Sequence, residues 1–240
     1  MKLLILQVLF IGLAAKTLGA AIEKCHSSVL AACGDPISDF RKKMGTSFPL
    51  DNAQVNELCS AIEQSKTCAE DFQKKCMTPM QIQTMSFLTE GSLEVYKDFC
   101  TEGSEIRTDY LKNAPCIDES SKTPEAKEHS KYVEATLEEM SVKAPQDRLP
   151  TICCAYALMT EKSREFGEAK CGKGAVDSFH KVVEMAVSTL PNVLCSGFDP
   201  EGDTCKAVLP PPGTQPKGTL KNSHIAQSFV SMYLNDITEI

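Results

Sequence analysis

Twelve cysteines are the residues best suited to chemistry in this chain of 240 residues. They are Cys25, Cys33, Cys59, Cys68, Cys76, Cys100, Cys116, Cys153, Cys154, Cys171, Cys195 and Cys205. The chemistry they suit is oxidation in pairs. An even count behind an export-type leader reads as a disulfide framework, because thiols stay reduced in the cytosol and oxidise outside it. The absence of any Cys-x-x-Cys argues against a thiol oxidoreductase, and no cysteine–histidine spacing matches a zinc site.

The other reactive residues form no constellation. His26, His129, His180 and His224 each stand alone in the sequence, and neither HExxH nor HxH occurs. His180 sits beside an apolar stripe and reads as a core histidine. Secreted phospholipases carry adjacent cysteines followed by a catalytic His-Asp. Here Cys153-Cys154 is followed by Ala155, Tyr156 and Ala157, so that chemistry is missing. Gly172-x-Gly174 follows no strand and lacks a third glycine, which makes it a helix break rather than a phosphate cradle. No Gly-x-Ser-x-Gly elbow exists. Asp199-Pro200-Glu201-Gly202-Asp203 is too short for a hand-type calcium loop and reads as a turn. The pair Glu138-Glu139 reads as helix surface. The expectation is a protein without catalytic residues, cofactor or metal.

Residues 1–20 have the three parts of a secretory signal: Lys2, an apolar run from Leu3 to Ala15, and small residues at Gly19-Ala20-Ala21. The run is shorter than the ~20 residues a membrane-spanning helix needs, so a secreted, extracellular protein without a membrane span is expected. The formal net charge is −7, and it falls further when Lys2 and Lys16 leave with the leader. An acidic surface repels phosphate backbones, which excludes nucleic acid as the expected partner. The triplet Arg41-Lys42-Lys43 reads as a solvated helix face. No Asn-x-Ser/Thr sequon is present, so N-glycosylation is not expected.

The elements that must position the cysteines are helices. Ile22, Cys25, Val29 and Cys33 share one face, ended by Gly34-Asp35-Pro36. A short helix over Ile37 to Met44 follows. Asp51 caps the next, with Val55, Leu58, Cys59 and Ile62 on one stripe, continued by Cys68, Phe72 and Cys76. Thr78-Pro79 and Thr123-Pro124 each pair a hydroxyl cap with a first-turn proline; the first opens a helix toward Cys100 with Gly91 as its weak point. A helix over Glu105 to Asn113 is expected to stop before Pro115. Ile152, Ala155, Tyr156, Met159, Ser163 and Phe166 form one late stripe. Val176, Phe179, Val183, Val187 and Leu190 form another, beyond a break at Gly172 and Gly174. No strand alternation is sustained anywhere. The predicted fold is all-α, a disulfide-crosslinked multi-helix bundle of about seven to nine helices.

Cysteines on apolar faces and helix ends can bridge packed helices, whose axes lie ~8–10 Å apart. Neighbours on a helix point about 100° apart, so Cys153 and Cys154 should tie their helix to two different partners and make it a hub. The pairing itself stays open, since six cysteines alone allow 15 connectivities. A recurrent long-then-short spacing, as in Cys76, Cys100 and Cys116, suggests a repeated helix-hairpin unit. The expected layout is a signal peptide at 1–20, a disulfide-rich helical domain at 21–205, and a Pro-rich segment with an amphipathic tail at 206–240. The prolines of that segment favour extended backbone, and Ile225, Phe229 and Met232 suit a last helix.

The cysteine order resembles that of arthropod secreted, cysteine-rich helical proteins of the 27-kDa hemolymph glycoprotein type. The stretches carrying the resemblance are Phe99-Cys100-Thr101-Glu102-Gly103 with Leu111 and Ala114-Pro115-Cys116-Ile117, and Cys154-Ala155-Tyr156 with Cys171, Val176, Phe179 and Cys195. The resemblance covers residues 25–205 and departs from the glycoprotein label in lacking sequons. It implies an extracellular protein without assigned catalysis, and no functional residue is carried over. Two roles follow. One is a non-enzymatic binding or carrier protein for a hydrophobic small molecule, with Met85, Met140, Met159 and Met185 as adaptable apolar side chains. The other is an extracellular protein-interaction, structural or defence component that uses the C-terminal tail.

Overall fold

Helix starts follow the hydroxyl and acid signals in the sequence. In the computed structural model, which describes residues 25–46, 48–140, 142–186 and 194–219, Asp51 Oδ1 accepts from the Gln54 amide at 2.8 Å while Gln54 Oε1 accepts from the Leu50 amide at 2.7 Å. Thr78 and Gln81 make the reciprocal version, with the Thr78 amide donating to Gln81 Oε1 at 2.9 Å. Thr78 Oγ1 accepts from the Gln81 amide. Thr123 and Ser104 cap in the same way, accepting from the Ala126 and Arg107 amides. Each such cap satisfies an orphan amide and stabilises by about 1 kcal/mol.

Among the described residues there are nine helices and no strand. They are α1 (Ser27–Ala32), α2 (Asp35–Lys43), α3 (Asn52–Cys76), α4 (Pro79–Cys100), α5 (Glu105–Ser121), α6 (Pro124–Met140), α7 (Pro145–Cys171), α8 (Lys173–Ala186) and α9 (Asp203–Val208). The disulfide-crosslinked all-α bundle expected from periodicity is therefore the fold. The expected leader and terminal helix lie outside the described residues, as do Val187 and Leu190.

The described residues of Met1–Gly45 and Asn56–Phe87 form one compact unit, and those of Thr46–Val55 and Leu88–Ile240 a second. In the first, Cys25–Cys76 and Cys33–Cys68 join the N-terminal segment to α3. Its core is Phe40, Met44 and Ala61, with Ile37 and Leu58 packed against them. Of the basic triplet, Lys42 is exposed and pairs with Asp39. Arg41 is half-buried, and burial lowers its pKa.

In the second unit α7 packs against α5, α6, α8 and α9. Val133, Leu137 and Met140 of α6 meet Ile152, Cys153 and Ala155 of α7 in the core, with Cys195 alongside. Beside it lies an aromatic cluster. Phe179 stacks on Tyr110 at 5.5 Å, and Phe99 and Phe48 meet these rings edge-on at 5.0 and 4.6 Å. Such pairs add about 0.5–1.5 kcal/mol each beyond area burial. Three bridges cross this unit: Cys116–Cys171, Cys153–Cys195 and Cys154–Cys205. The adjacent cysteines of α7 thus reach two different segments. Cys59 and Cys100 are also disulfide-bonded, and none of the twelve is free.

Two sequence expectations are corrected. First, α5 does not stop before Pro115; it continues to Ser121 with the proline inside it. Proline denies the Leu111 carbonyl its helical donor. Burial of Ala114, Ile117 and Asp118, together with the Cys116–Cys171 bridge, outweighs that loss. Second, the break after α7 is Gly172 alone, at φ 80°, a region that favours glycine. Gly174 lies inside α8. The sequence sets no start for α7; it begins at Pro145, ahead of the apolar stripe, and takes Pro150 into its second turn.

Candidate functional site

Tyr156, Ala157, Thr160, Glu161 and Arg164 recur along one face of α7. Cys195 and Ser196 form the facing wall, held in place by the Cys153–Cys195 bridge. Between them runs a groove of about 430 Å³, mainly apolar and open to solvent. Tyr156 reaches down to the main core, as do Met159, Leu194 and Phe198. The floor is therefore built by packed residues, while the rim is charged.

The rim cation is fixed. Arg164 Nη1 donates to Asp177 Oδ1 at 3.0 Å, and Lys173 Nζ donates to Asp177 Oδ2 at 2.6 Å. The Lys173 and Arg164 bonds hold the Asp177 carboxyl below the usual carboxylate range. Lys162, bonded to Glu165 at 2.6 Å, has its pKa raised chiefly by that bond, and Glu161 adds to the effect. The groove thus offers an apolar floor beside an anchored guanidinium and a carboxylate. That arrangement suits an amphipathic small molecule.

A second depression, on α3 in the other unit, is lined by Ser60, Glu63, Gln64, Thr67, Cys68 and Asp71. Its lining residues are polar or acidic in type, but the surface they expose is mainly apolar, in the same proportion as in the α7 groove, and Lys66 pairs with Glu63 at 3.3 Å and with Glu70 at 3.6 Å.

The histidines are scattered. His26 Nδ1 accepts from the Ser28 amide and lies 2.8 Å from Ser28 Oγ, capping α1 on an exposed surface. His180 is buried at 8% exposure next to Phe179. His129 stands edge-on to Phe166 at 6.0 Å, and its Nε2 is buried without a hydrogen-bond partner. His224 lies outside the described residues. Asp199 to Asp203 form a turn into α9, with the Gly202 amide donating to the Asp199 carbonyl at 2.9 Å. Among the described residues no group of three or more His, Cys, Asp or Glu is placed to hold a metal, and no helix is long and apolar enough to cross a membrane. Of the four methionines singled out, Met140 is buried and Met159 packs against the same core. Met85 is half-buried, and the Met185 side chain lies outside the described residues.

Sequence reasoning missed one group outright. Glu138 is not helix surface but 5% exposed. Its Oε2 accepts from the Lys217 amide, and its Oε1 from the Thr219 amide at 2.6 Å. These amides belong to the proline-rich segment. That segment crosses α6 under three further bonds: Lys143 Nζ to the Val208 carbonyl, Tyr132 Oη to the Pro210 carbonyl, and Gln215 Nε2 to Glu128 Oε1. The segment is not simply extended. Pro211 to Thr214 form a tight turn, with the Thr214 amide donating to the Pro211 carbonyl at 3.1 Å and Gly213 at φ 83°. Nothing local marked Glu138, because its partners lie 79 and 81 residues away.

Comparison of the chain with protein-family models, curated proteins and solved structures finds no match.

Proposed function

We propose that this chain is a secreted, non-enzymatic binding protein that carries a small hydrophobic molecule with a polar end, seated in the α7 groove. The observation that carries this reading is the mainly apolar groove floor set beside the Arg164–Asp177 rim and backed by the Cys153–Cys195 bridge. A preformed concavity loses little order when it takes a ligand, and its apolar floor supplies the driving force. The resemblance in cysteine order to hemolymph proteins of the 27-kDa glycoprotein type belongs to the same proposal. The test is organic extraction of purified protein, followed by uptake of a fluorescent fatty acid by wild type and by Ala157→Trp. A co-purified or captured hydrophobe, lost when the indole fills the groove, supports the reading. Empty extracts with no probe uptake sink it, and uptake unchanged in Ala157→Trp removes the groove from it.

A second reading is an extracellular interaction component that acts through the C-terminal segment. What favours it is the exposure of Pro211, Pro212 and Gly213 at the tip of their turn. Removing residues 211–240 should then abolish partner capture while leaving the helical signal intact; capture that survives the deletion excludes it.

A further inference from the structure

We propose that residues 208–219 form a hinged strap whose outer limb is latched to α6 through the carboxylates of Glu128 and Glu138 and opens in acid. Its two limbs are held by different chemistry. The inner limb follows α9, which the Cys154–Cys205 bridge ties to α7. That limb is fastened by Lys143 and Tyr132 donating to the Val208 and Pro210 carbonyls at 2.7 and 2.6 Å. Neither fastening is a carboxylate, and burial together with Glu139 raises the Tyr132 pKa. After the turn at Pro211–Thr214, the described contacts of the outer limb with α6 are to Glu128, through Gln215, and to Glu138, through the Lys217 and Thr219 amides.

Glu138 is the latch. It is buried, and it spends one carboxylate oxygen on each of two strap amides. An ionised carboxylate accepts such bonds with roughly twice the strength of a neutral acceptor. A protonated carboxyl carries a donor where the strap also offers a donor, so one of the two bonds must be lost. The charged groups around the latch are Glu134 and Glu139 on α6, Lys131 paired with Glu128 at 3.5 Å, Lys143 on the following loop, and the strap's own Lys217. On α7, Arg148 donates to the Lys143 carbonyl, while Lys162 and Glu165 face α6 at His129, in its N-terminal half. Acid therefore frees residues 215–219 and leaves the inner limb in place. The strap is independent of the α7 groove.

The test is amide exchange on the full chain, read as protection factors so that the intrinsic pH dependence cancels. At pH 7 the Lys217 and Thr219 amides of wild type should be protected. Protection should fall about tenfold or more in Glu138→Gln, whose single acceptor oxygen cannot serve both amides, and it should fall in wild type as the pH is lowered to about 4 and below, where carboxylates that accept hydrogen bonds in the folded state take up protons. Amides in the middle of α6 and α7 should keep their protection in both cases. Unchanged protection at Lys217 and Thr219 in Glu138→Gln overturns the proposal. So does loss of protection in wild type at pH 4 that reaches α6 and α7 to the same extent, because the strap would then open only with the whole unit.

Discussion

Arg107 and Asn52, 55 residues apart in sequence, are joined by two hydrogen bonds: Nε to Asn52 Oδ1 at 2.8 Å and Nη2 to the Asn52 carbonyl at 3.0 Å. A third bond runs from Nη1 to the Cys100 carbonyl at 3.3 Å, at the C-terminal end of α4. One guanidinium, 1% exposed, thus ties the start of α3 and the end of α4 to the first turn of α5. It also places a cation where the α4 dipole is negative.

Truncating this residue breaks all three bonds and empties the space that the buried Arg107 side chain fills, although Asn52 itself is exposed and Cys100 half-buried. Arg107→Ala should therefore destabilise by about 2–4 kcal/mol, measured as a lower denaturation midpoint at unchanged slope. Arg107→Lys should recover only part of the loss, since an ammonium cannot span the same fork of acceptors. A shift below about 0.5 kcal/mol for Arg107→Ala, the level of an ordinary surface change, would show that the network contributes little.

Gly167 of α7 lies against Val176 of α8, so closely that a Cβ at 167 would meet Val176 Cγ2 at 2.8 Å. Val176 is 1% exposed and β-branched, so it cannot swing aside. Gly167→Ala should gain about 1 kcal/mol of helix propensity and lose about 1–3 kcal/mol to overpacking, for a net loss. Adding Val176→Ala should return part of that loss in a double-mutant cycle. Strict additivity of the two changes would mean that they do not touch.

What could be read from the sequence was local. Helical period, the Thr78-Pro79 and Thr123-Pro124 starts and the divergence of Cys153 from Cys154 need only a few neighbouring residues, and the fold repeats them. The end expected before Pro115 failed because proline's local cost is fixed while the burial of Ile117 and Asp118 and the Cys116–Cys171 bridge are tertiary. The partners of Arg107 and Glu138 lie 55 and 79 residues away, so no window of sequence contains both ends of those bonds. The same distance hid the groove: Tyr156 and Arg164 are one helix face, but Cys195 closes it only after pairing with Cys153.

Cys154–Cys205 spans 51 residues and ends at a cysteine that is fully buried. By loop-closure entropy it should stabilise by about 4 kcal/mol, at the upper end of the ~2–4 kcal/mol typical of such bridges. The double change Cys154→Ala and Cys205→Ala should lower the thermal midpoint accordingly and release α9 and the strap it leads into. Amide exchange at Lys206 and Leu209 should quicken more than in α5, which this bridge does not touch. Equal quickening in both places would assign the loss to the whole unit and not to the α9 anchor.

Burial, and the Lys162 ammonium after it, lower the His129 pKa; Glu165 opposes them. Imidazole in the unfolded chain titrates near 6.5, so below that pH the unfolded state takes up its proton first. The stability tied to neutral His129 is therefore complete above about pH 6.5 and is lost as the pH falls through the lower value of the folded protein. Protonation would also put a second N–H donor at Nε2, which is buried and has no acceptor. Denaturation midpoints measured between pH 7.5 and 5 should decline for wild type and decline less for His129→Leu, which keeps an apolar contact with Phe166. The His129 ring protons should titrate in NMR below the value for free imidazole. A folded-state titration above 6.5 would reverse the sign, and acid in this range would then strengthen the contact between α6 and α7.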